Sequence, residues 1–170
     1  MRLETRDDEF SGYVVAQRVR LVRAARLLTA GDDGAAEDLV QTTLAKVYVH
    51  WPRVSGADDP VAYGFRTLTN TFLDERRRAH HRREIPTGSV PDIAHPSADP
   101  DTRRLVIAAL EQLAPRQRAV VVLRHFLQYD VAATAQALGC AEGTVKSQNA
   151  KALAHLREVL GTSLTSEGAS

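Results

Sequence analysis

The chain has 170 residues, a net charge of +1, 25% charged and 44% hydrophobic residues, and a single cysteine, Cys140. This length suits one domain or two small ones. The chain has no long apolar segment and no hydrophobic amino terminus, which predicts a protein without membrane insertion. A single cysteine cannot form an internal disulfide and predicts a cytoplasmic protein. The near-neutral charge excludes a nonspecific DNA coat, so any contact with nucleic acid must come from local patches.

The first predicted element is a long helix from Phe10 to Leu28. Apolar residues at helical spacing form its inward stripe, namely Val14, Leu21, Val22, Ala25 and Leu28. Four arginines, at positions 18, 20, 23 and 26, are distributed over the outer surface. A solvated basic face explains these arginines better than a binding role does.

A second helix is predicted from Ala35 to His50. Its inward residues are Ala36, Leu39, Val40, Leu44, Val47 and Tyr48. The far side carries Asp38, Gln41, Thr42 and Ala45 at spacings of three and four, and this strip is only weakly charged. From the residues alone, this is a plain surface helix.

A third helix begins at the start signal Asp58-Asp59-Pro60, with proline at the first helical position, and is predicted to reach Glu84. Its inward stripe consists of Val61, Phe65, Leu68 and Phe72. The opposite side offers Arg66, Asn70, Asp74 and Arg77.

The end of this third helix is strongly basic. Five arginines lie within about two turns, at positions 76, 77, 78, 82 and 83. The positive charges in this cluster repel one another unless they bind an anion, which indicates that the cluster contacts a phosphate backbone. The alternative is structural, because a basic carboxyl end also stabilises a helix through its dipole. His80 and His81 are no metal site by this pattern, because adjacent helical residues point about 100° apart and no third ligand has the required spacing.

A linker is predicted from Ile85 to Asp101, where periodicity stops and proline, glycine, serine and aspartate replace apolar residues. It divides an amino-terminal from a carboxyl-terminal helical unit, and each has enough aliphatic residues for a small core. In the second unit, Pro115 at the expected first turn and the apolar spacing through Leu127 favour helix over strand. The fold class is therefore all-α, and Thr162 to Ser170 is predicted to be a frayed tail.

A helix-turn-helix pattern covers Tyr129 to Leu160. Asp130 can cap a short first helix, Gly139 can end it in the left-handed conformation, and a second helix begins at about Glu142. The outer side of the second helix carries donors for base edges or phosphates: Thr144, Lys146, Ser147, Gln148 and Lys151. An ordinary helical hairpin with a solvated face remains the alternative.

The run Gly143-Thr144-Val145-Lys146-Ser147, with Ala152-Leu153 and Leu156-Arg157 behind it, resembles the promoter-reading helix of extracytoplasmic-function (ECF) sigma factors of the sigma-70 family, of the actinobacterial SigE-like type. The segment Leu113–Arg118 is similar to the helix that precedes that reader. Departures from the family pattern are Gln148 and Lys151 for arginines, Asn149 for an aliphatic residue and Ala141 for a capping serine. The missing cap costs about 1 kcal/mol, and a lysine cannot form the bidentate fork of an arginine.

Two further resemblances lie in the amino-terminal unit. Residues 36–44, together with Trp51, resemble the ECF segment that docks on the clamp helices of the largest polymerase subunit, which implies that Asp38, Gln41 and Thr42 face the polymerase. The third helix is similar to the one that lies against the promoter −10 element. Carried over, that likeness implies a −10 binding and melting set of Arg66, Asn70, Asp74, Arg77 and Arg78. Asn70 would hold an extruded base while the arginines grip phosphates.

The resemblance implies two helical domains, region 2 at residues 1–84 and region 4 at 102–162, joined by a flexible linker at 85–101 and followed by a disordered tail at 163–170. It implies a sigma factor that binds core RNA polymerase and directs initiation from −35 and −10 elements. No cofactor, metal or enzymatic activity is expected, since neither a P-loop nor a Gly-rich dinucleotide loop occurs. Many family members are held inactive by an anti-sigma factor, but no residue tells whether one binds here.

Two other functions remain as alternatives. A free-standing regulator would use the helix-turn-helix as a dimer and the amino-terminal unit as a sensor, but it needs a dimerisation surface, and no heptad segment occurs. An all-α enzyme would use Asp58, Asp59 or the histidine pair, but no nucleophile, base and orienting group occur in a recognisable arrangement.

Overall fold

A computed structural model describes residues 2–82 and 99–167, and every regular element in those ranges is helical. The amino-terminal unit consists of α1 (Arg2–Leu28), α2 (Asp33–Val49), α3 (Trp51–Val54) and α4 (Pro60–Arg82). The carboxyl-terminal unit consists of α5 (Pro100–Glu111), α6 (Pro115–Val121), a π-helical turn (Val122–Phe126), α7 (Val131–Leu138) and α8 (Glu142–Glu167). The predicted all-α fold class is confirmed.

Helix α1 begins at Arg2, eight residues before the predicted start at Phe10. Two polar contacts with the end of α2 hold these first turns. The Arg6 guanidinium donates to the Tyr48 carbonyl at 2.6 Å and stacks over the Tyr48 ring, and the Tyr48 hydroxyl donates to Asp7 Oδ1 at 2.7 Å. Both contacts join residues about 40 positions apart, so local periodicity could not predict them.

Side-chain caps fix the starts of α2 and α4. Asp32 Oδ1 accepts from the Ala35 N–H at 3.0 Å, so α2 begins two residues before the predicted Ala35. Asp59 Oδ1 accepts from the Ala62 N–H at 2.9 Å, and α4 begins at Pro60 as predicted. Each carboxylate satisfies a backbone donor that has no partner within its helix.

Tyr13 ties α1 to the start of α4. Its ring packs between Phe10 and Trp51, with centroids 6.2 and 5.2 Å away, and its hydroxyl donates to the Pro60 carbonyl at 3.4 Å. A Cβ at Gly64 would overlap that hydroxyl, so α4 needs a glycine at this close approach. Burial, followed by the Asp59 carboxylate, raises the pKa of Tyr13 to about 12.

The helix-turn-helix forms as predicted at its caps. Asp130 Oδ1 accepts from the Ala133 N–H at 2.7 Å, and Gly139 ends α7 with φ of 62°. In α8, Val145 and Ala152 are buried as predicted. However, α8 continues to Glu167, where a frayed tail was expected from residue 162; Gly161 costs a helix only about 1 kcal/mol, and no proline follows it.

The aliphatic run of the second unit is helical as predicted, but its end has π geometry. The Leu127 N–H donates to the Val122 carbonyl, five residues back, at 2.9 Å, and Gln128 then takes a φ of 57°. Helix α5 starts inside the predicted linker, because its first two residues are Pro100 and Asp101. The rest of that linker, residues 85–98, lies outside the described residues.

The two units share a core, whereas the sequence pattern predicts one small core for each. A single buried cluster contains Leu28 and Phe72 from the first unit and Val120, Leu123 and Leu138 from the second. In a second cluster, Leu27 of α1 packs against a group of carboxyl-terminal residues, which are Leu110, Leu113, Val121 and Ala152. The end of α1 and one side of α4 thus bury apolar surface against the other unit, which hides it from water.

Candidate nucleic-acid interface

The amino-terminal half of α8 presents most of the predicted base-reading residues to solvent. Thr144, Lys146, Ser147 and Lys151 are exposed, whereas Gln148 is half-buried. Val145 on the opposite side is fully buried and fixes the rotation of the helix. Two hydroxyls and two ammonium groups on one helix surface can donate to base edges and phosphates in a major groove.

A cavity of about 350 Å³ lies on the flank of this helix. Its lining consists of Arg124, Val131, Val145, Lys146, Asn149, Ala150, Leu153 and Arg157. Three of these residues are cationic, and Lys146 belongs to the predicted reading set. The sequence spacing around Arg124 does not indicate that this residue belongs to the site, because only the π-helical turn brings it close to α8.

The cavity edge is held by two polar contacts around the π-helical turn. The Arg124 guanidinium donates to the Tyr129 carbonyl at 2.6 Å. His125 Nε2 lies 2.9 Å from Asn149 Oδ1, so the residue that departs from the aliphatic pattern of the family has a polar partner. These contacts connect the turn to the segment that precedes α7 and to α8.

Helix α4 carries the predicted −10 set along one side. Arg66, Arg77 and Arg78 are exposed, and Asp74 forms an ion pair with Arg77. Asn70 is half-buried, and its Nδ2 donates to the Ala137 carbonyl of α7 at 3.0 Å. Asn70 therefore contacts the other unit instead of facing open solvent like its arginine neighbours.

The predicted polymerase strip lies open on α2. Asp38, Gln41 and Thr42 are exposed, while the residues behind them, Leu39, Val40, Thr43 and Leu44, are buried. Glu75 of α4 adds a neighbouring carboxyl group that the sequence pattern missed. Burial raises the pKa of Glu75, with a smaller upward effect from Asp38, and Lys46 and Arg78 lower it.

A buried arginine at the junction of the two units was not singled out from the sequence. Arg118 is 4% exposed, and its guanidinium donates to the carbonyls of Leu28, Leu110, Glu111 and Leu113. Burial, followed by repulsion from Arg76, lowers its pKa to about 10, which leaves it charged at pH 7. Arginine side chains are rarely buried, so the residue type by itself indicates a surface position.

The residues considered for catalysis lie at opposite ends of α4. Asp59 caps α4, and the rings of His80 and His81 lie 6.4 Å apart on its exposed end. In the part of the chain that the structure describes, no group of three His, Cys, Asp or Glu side chains could hold a metal ion. None of the helices in that part is long and apolar enough to cross a membrane.

Comparison with protein families gives two matches. Residues 9–82 match the model for sigma-70 region 2, and residues 103–156 match the model for sigma-70 region 4. The first range covers α2, α3, α4 and α1 from residue 9 onward, and the second runs from α5 to the middle of α8.

Known proteins resemble the chain over both units. It is 42% identical to RNA polymerase sigma-E factor of Streptomyces coelicolor over 157 residues, which cover 89% of this chain and 86% of that protein. It is 38% identical to ECF RNA polymerase sigma factor SigL of Mycobacterium tuberculosis, over 82% of each chain.

Solved structures agree with these matches. The sigma factor RpoE of Bartonella quintana, in complex with the anti-sigma factor NepR, superposes with a TM-score of 0.72 at 27% identity, over 90% of this chain and 97% of that one. CnrH, in complex with the cytosolic domain of CnrY, gives a TM-score of 0.63 at 23% identity, over 92% and 90% of the two chains, which supports the fold alone.

Proposed function

The chain belongs to the ECF sigma factors of the sigma-70 family, and from that premise we propose which of its residues perform each step of promoter recognition. As a member of this family it binds core RNA polymerase and directs transcription initiation at promoters. It is an initiation factor that recruits the polymerase, and we propose that it catalyses no reaction of its own and acts in the cytoplasm.

The −35 element is read by α8. Thr144, Lys146, Ser147 and Lys151 enter the major groove from the exposed side of the helix, and the half-buried Gln148 contributes from its edge. Arg124 and Arg157 line the adjacent cavity with Lys146 and give that flank three positive charges. Charges in this position suit the phosphates that border a groove.

The −10 element is bound by α4. Arg66, Arg77 and Arg78 are exposed cations that suit the phosphates of separating strands, and Asn70 offers an amide that can hydrogen-bond an extruded base. Asp74 orients Arg77 through their ion pair. Extruding a base costs a few kcal/mol, so a base-holding group and a cationic track are needed together.

Core polymerase docks on the strip Asp38, Gln41 and Thr42 of α2. Two observations support this docking role: the three side chains are exposed, and the residues behind them are buried. The strip can therefore bind a partner without reorganisation of the helix. An anti-sigma factor is a further partner of this chain by our proposal, because the sigma factor RpoE of Bartonella quintana was captured with such a protein, NepR.

One observation carries the assignment, namely the presence of region 2 and region 4 in one chain. A free-standing dimeric regulator needs the helix-turn-helix alone and gives no reason for a region 2 unit beside it. The regulator alternative is therefore not favoured.

Run-off transcription with purified core polymerase on a genomic library tests the proposed function. Defined start sites should appear only when the chain is added. Asp38→Arg should reduce this product at least tenfold because a reversed charge opposes docking, and Asp8→Arg, the same change at an exposed α1 residue, should not. Start sites that are equally strong without the chain would contradict the function, and equal activity of the two variants would contradict the docking strip.

A further inference from the structure

The cavity on the flank of α8 has an apolar wall that phosphate binding does not explain. Its volume of about 350 Å³ lies within the range of small-molecule pockets. Four of its eight lining residues are apolar, namely Val131, Val145, Ala150 and Leu153. A DNA phosphate is small and polar, so on entering the cavity it would leave this apolar wall without a partner.

The polar wall of the same cavity is cationic. Arg124, Lys146 and Arg157 line it together, and among the described residues that line the cavity none is acidic. Like charges that share one cavity repel each other, and an anion between them converts that repulsion into attraction. A cavity with one cationic and one apolar wall suits a ligand that carries an oxyanion on an apolar body.

Arg124 is held in place for such a ligand. Its Nη1 donates to the Tyr129 carbonyl at 2.6 Å, so the position of its guanidinium does not depend on a ligand. Its Nε is buried and has no hydrogen-bond acceptor within the part of the chain that the structure describes. A buried donor without an acceptor is unfavourable, and an oxyanion bound by the same guanidinium supplies acceptors.

Asn149 adds a neutral donor to the cavity. His125 Nε2 lies 2.9 Å from Asn149 Oδ1 and donates to it, because an amide oxygen only accepts. The Nδ2 group of Asn149 keeps its two donors. Since Asn149 stands where the family pattern has an aliphatic residue, this donor distinguishes the chain from that pattern.

We propose that this cavity binds a small organic anion, with its oxyanion on Arg124, Lys146 and Arg157 and its apolar body against Val131 and Leu153. We further propose that the bound anion competes with the −35 element. The competition rests on the proposed role of Lys146 as a −35 reader. The ligand engages Lys146 and adds negative charge where DNA phosphates approach, so it lowers promoter affinity.

Isothermal titration calorimetry on the free full-length chain tests the binding site with three probes at constant ionic strength. Phenyl phosphate carries both an oxyanion and an apolar ring, inorganic phosphate lacks the ring, and benzyl alcohol lacks the charge. Phenyl phosphate should bind at least tenfold more tightly than either of the other two, because only it can contact both walls.

Two substitutions examine the two walls separately. Arg157→Gln should weaken binding of phenyl phosphate about tenfold, whereas Arg104→Gln, at an exposed arginine of α5, should leave it unchanged. Leu153→Asn should weaken binding of phenyl phosphate but not of inorganic phosphate, because it changes only the apolar wall. Far-UV circular dichroism checks that each variant retains its helices.

Promoter binding by the holoenzyme, measured by fluorescence anisotropy, tests the competition. Saturating phenyl phosphate should lower promoter affinity about tenfold for the wild type and for Arg104→Gln. Inorganic phosphate at the same concentration and ionic strength should not. Arg157→Gln should need about tenfold more phenyl phosphate for the same effect.

Absence of phenyl phosphate binding, or equal affinity for Arg157→Gln and the wild type, would overturn the site. Equal binding of inorganic phosphate would overturn the organic ligand and leave a site for phosphate alone. Promoter affinity that stays constant at saturating phenyl phosphate would overturn the competition. Failure of the proposed function is distinguishable from all of these, because the holoenzyme would then fail to bind the promoter without any probe, whereas the calorimetry needs no promoter.

Discussion

Replacing Arg118 with methionine should lower the free energy of unfolding by about 3–5 kcal/mol. The guanidinium is 4% exposed and donates to four carbonyls, those of Leu28, Leu110, Glu111 and Leu113, at 2.8 to 3.2 Å. Methionine can fill much of the space, but it removes all four guanidinium hydrogen bonds, and only the Leu110 carbonyl is shown with a second donor, the Leu113 N–H at 3.1 Å. Urea denaturation followed by circular dichroism measures the change.

Arg116→Met is the matched control, because Arg116 is exposed two residues earlier in the same helix. Its substitution should change stability by less than about 0.5 kcal/mol. Arg118→Lys should fall between the two, since lysine keeps the charge but cannot reach carbonyls at both ends of a planar fork. A methionine variant as stable as the wild type would show that the four hydrogen bonds contribute little.

Removing Lys146 and Lys151 together should weaken promoter binding by the holoenzyme about a hundredfold, at roughly 1–3 kcal/mol per groove contact. Both ammonium groups are exposed on the outer side of α8 and have no part in its packing. The dependence of log affinity on log salt concentration should also become shallower, by about one for each phosphate that no longer has a lysine partner. Fluorescence anisotropy with a labelled promoter fragment over a range of salt concentrations gives both quantities.

The control for the lysine pair is Arg53→Ala with Arg104→Ala. These residues are exposed on α3 and α5, so the double variant removes the same charge without altering α8. If both double variants weaken binding equally, net charge rather than groove binding accounts for the weaker affinity, and α8 is not the reader.

Local features of the fold could be predicted from sequence because local chemistry determines them. Asp130 and Gly139 bound α7 since one supplies a cap acceptor and the other tolerates a positive φ, and neither effect depends on distant residues. The inward positions of Val145 and Leu39 follow in the same way from helical spacing.

Features that depend on contacts between distant segments could not be predicted. Asn70 stands on a polar helix face by its spacing, but the fold places it against a carbonyl 67 positions later in the chain. Arg118 stands two residues after Arg116, which is exposed, and only the packing of α5 and α1 around Arg118 makes it a buried donor. The extra turns of α1 depend in the same way on Tyr48, at the end of another helix.

The candidate site shows the same difference between features set by local spacing and features set by contacts between distant segments. Helical spacing was enough to group Asp38, Gln41 and Thr42 on one exposed strip. It could not bring Arg124 beside Lys146, because that proximity depends on how the π-helical turn packs against α8. The roles of all these residues stay predictions until variants are measured.

Footprinting on one promoter fragment tests the central claim most directly, with the chain alone, core polymerase alone, and the two together. The account predicts two separate protected segments, at the −35 and −10 elements, that appear only when both proteins are present. Strong protection of a symmetric site by the chain alone, or no added protection when core polymerase joins it, would contradict the account.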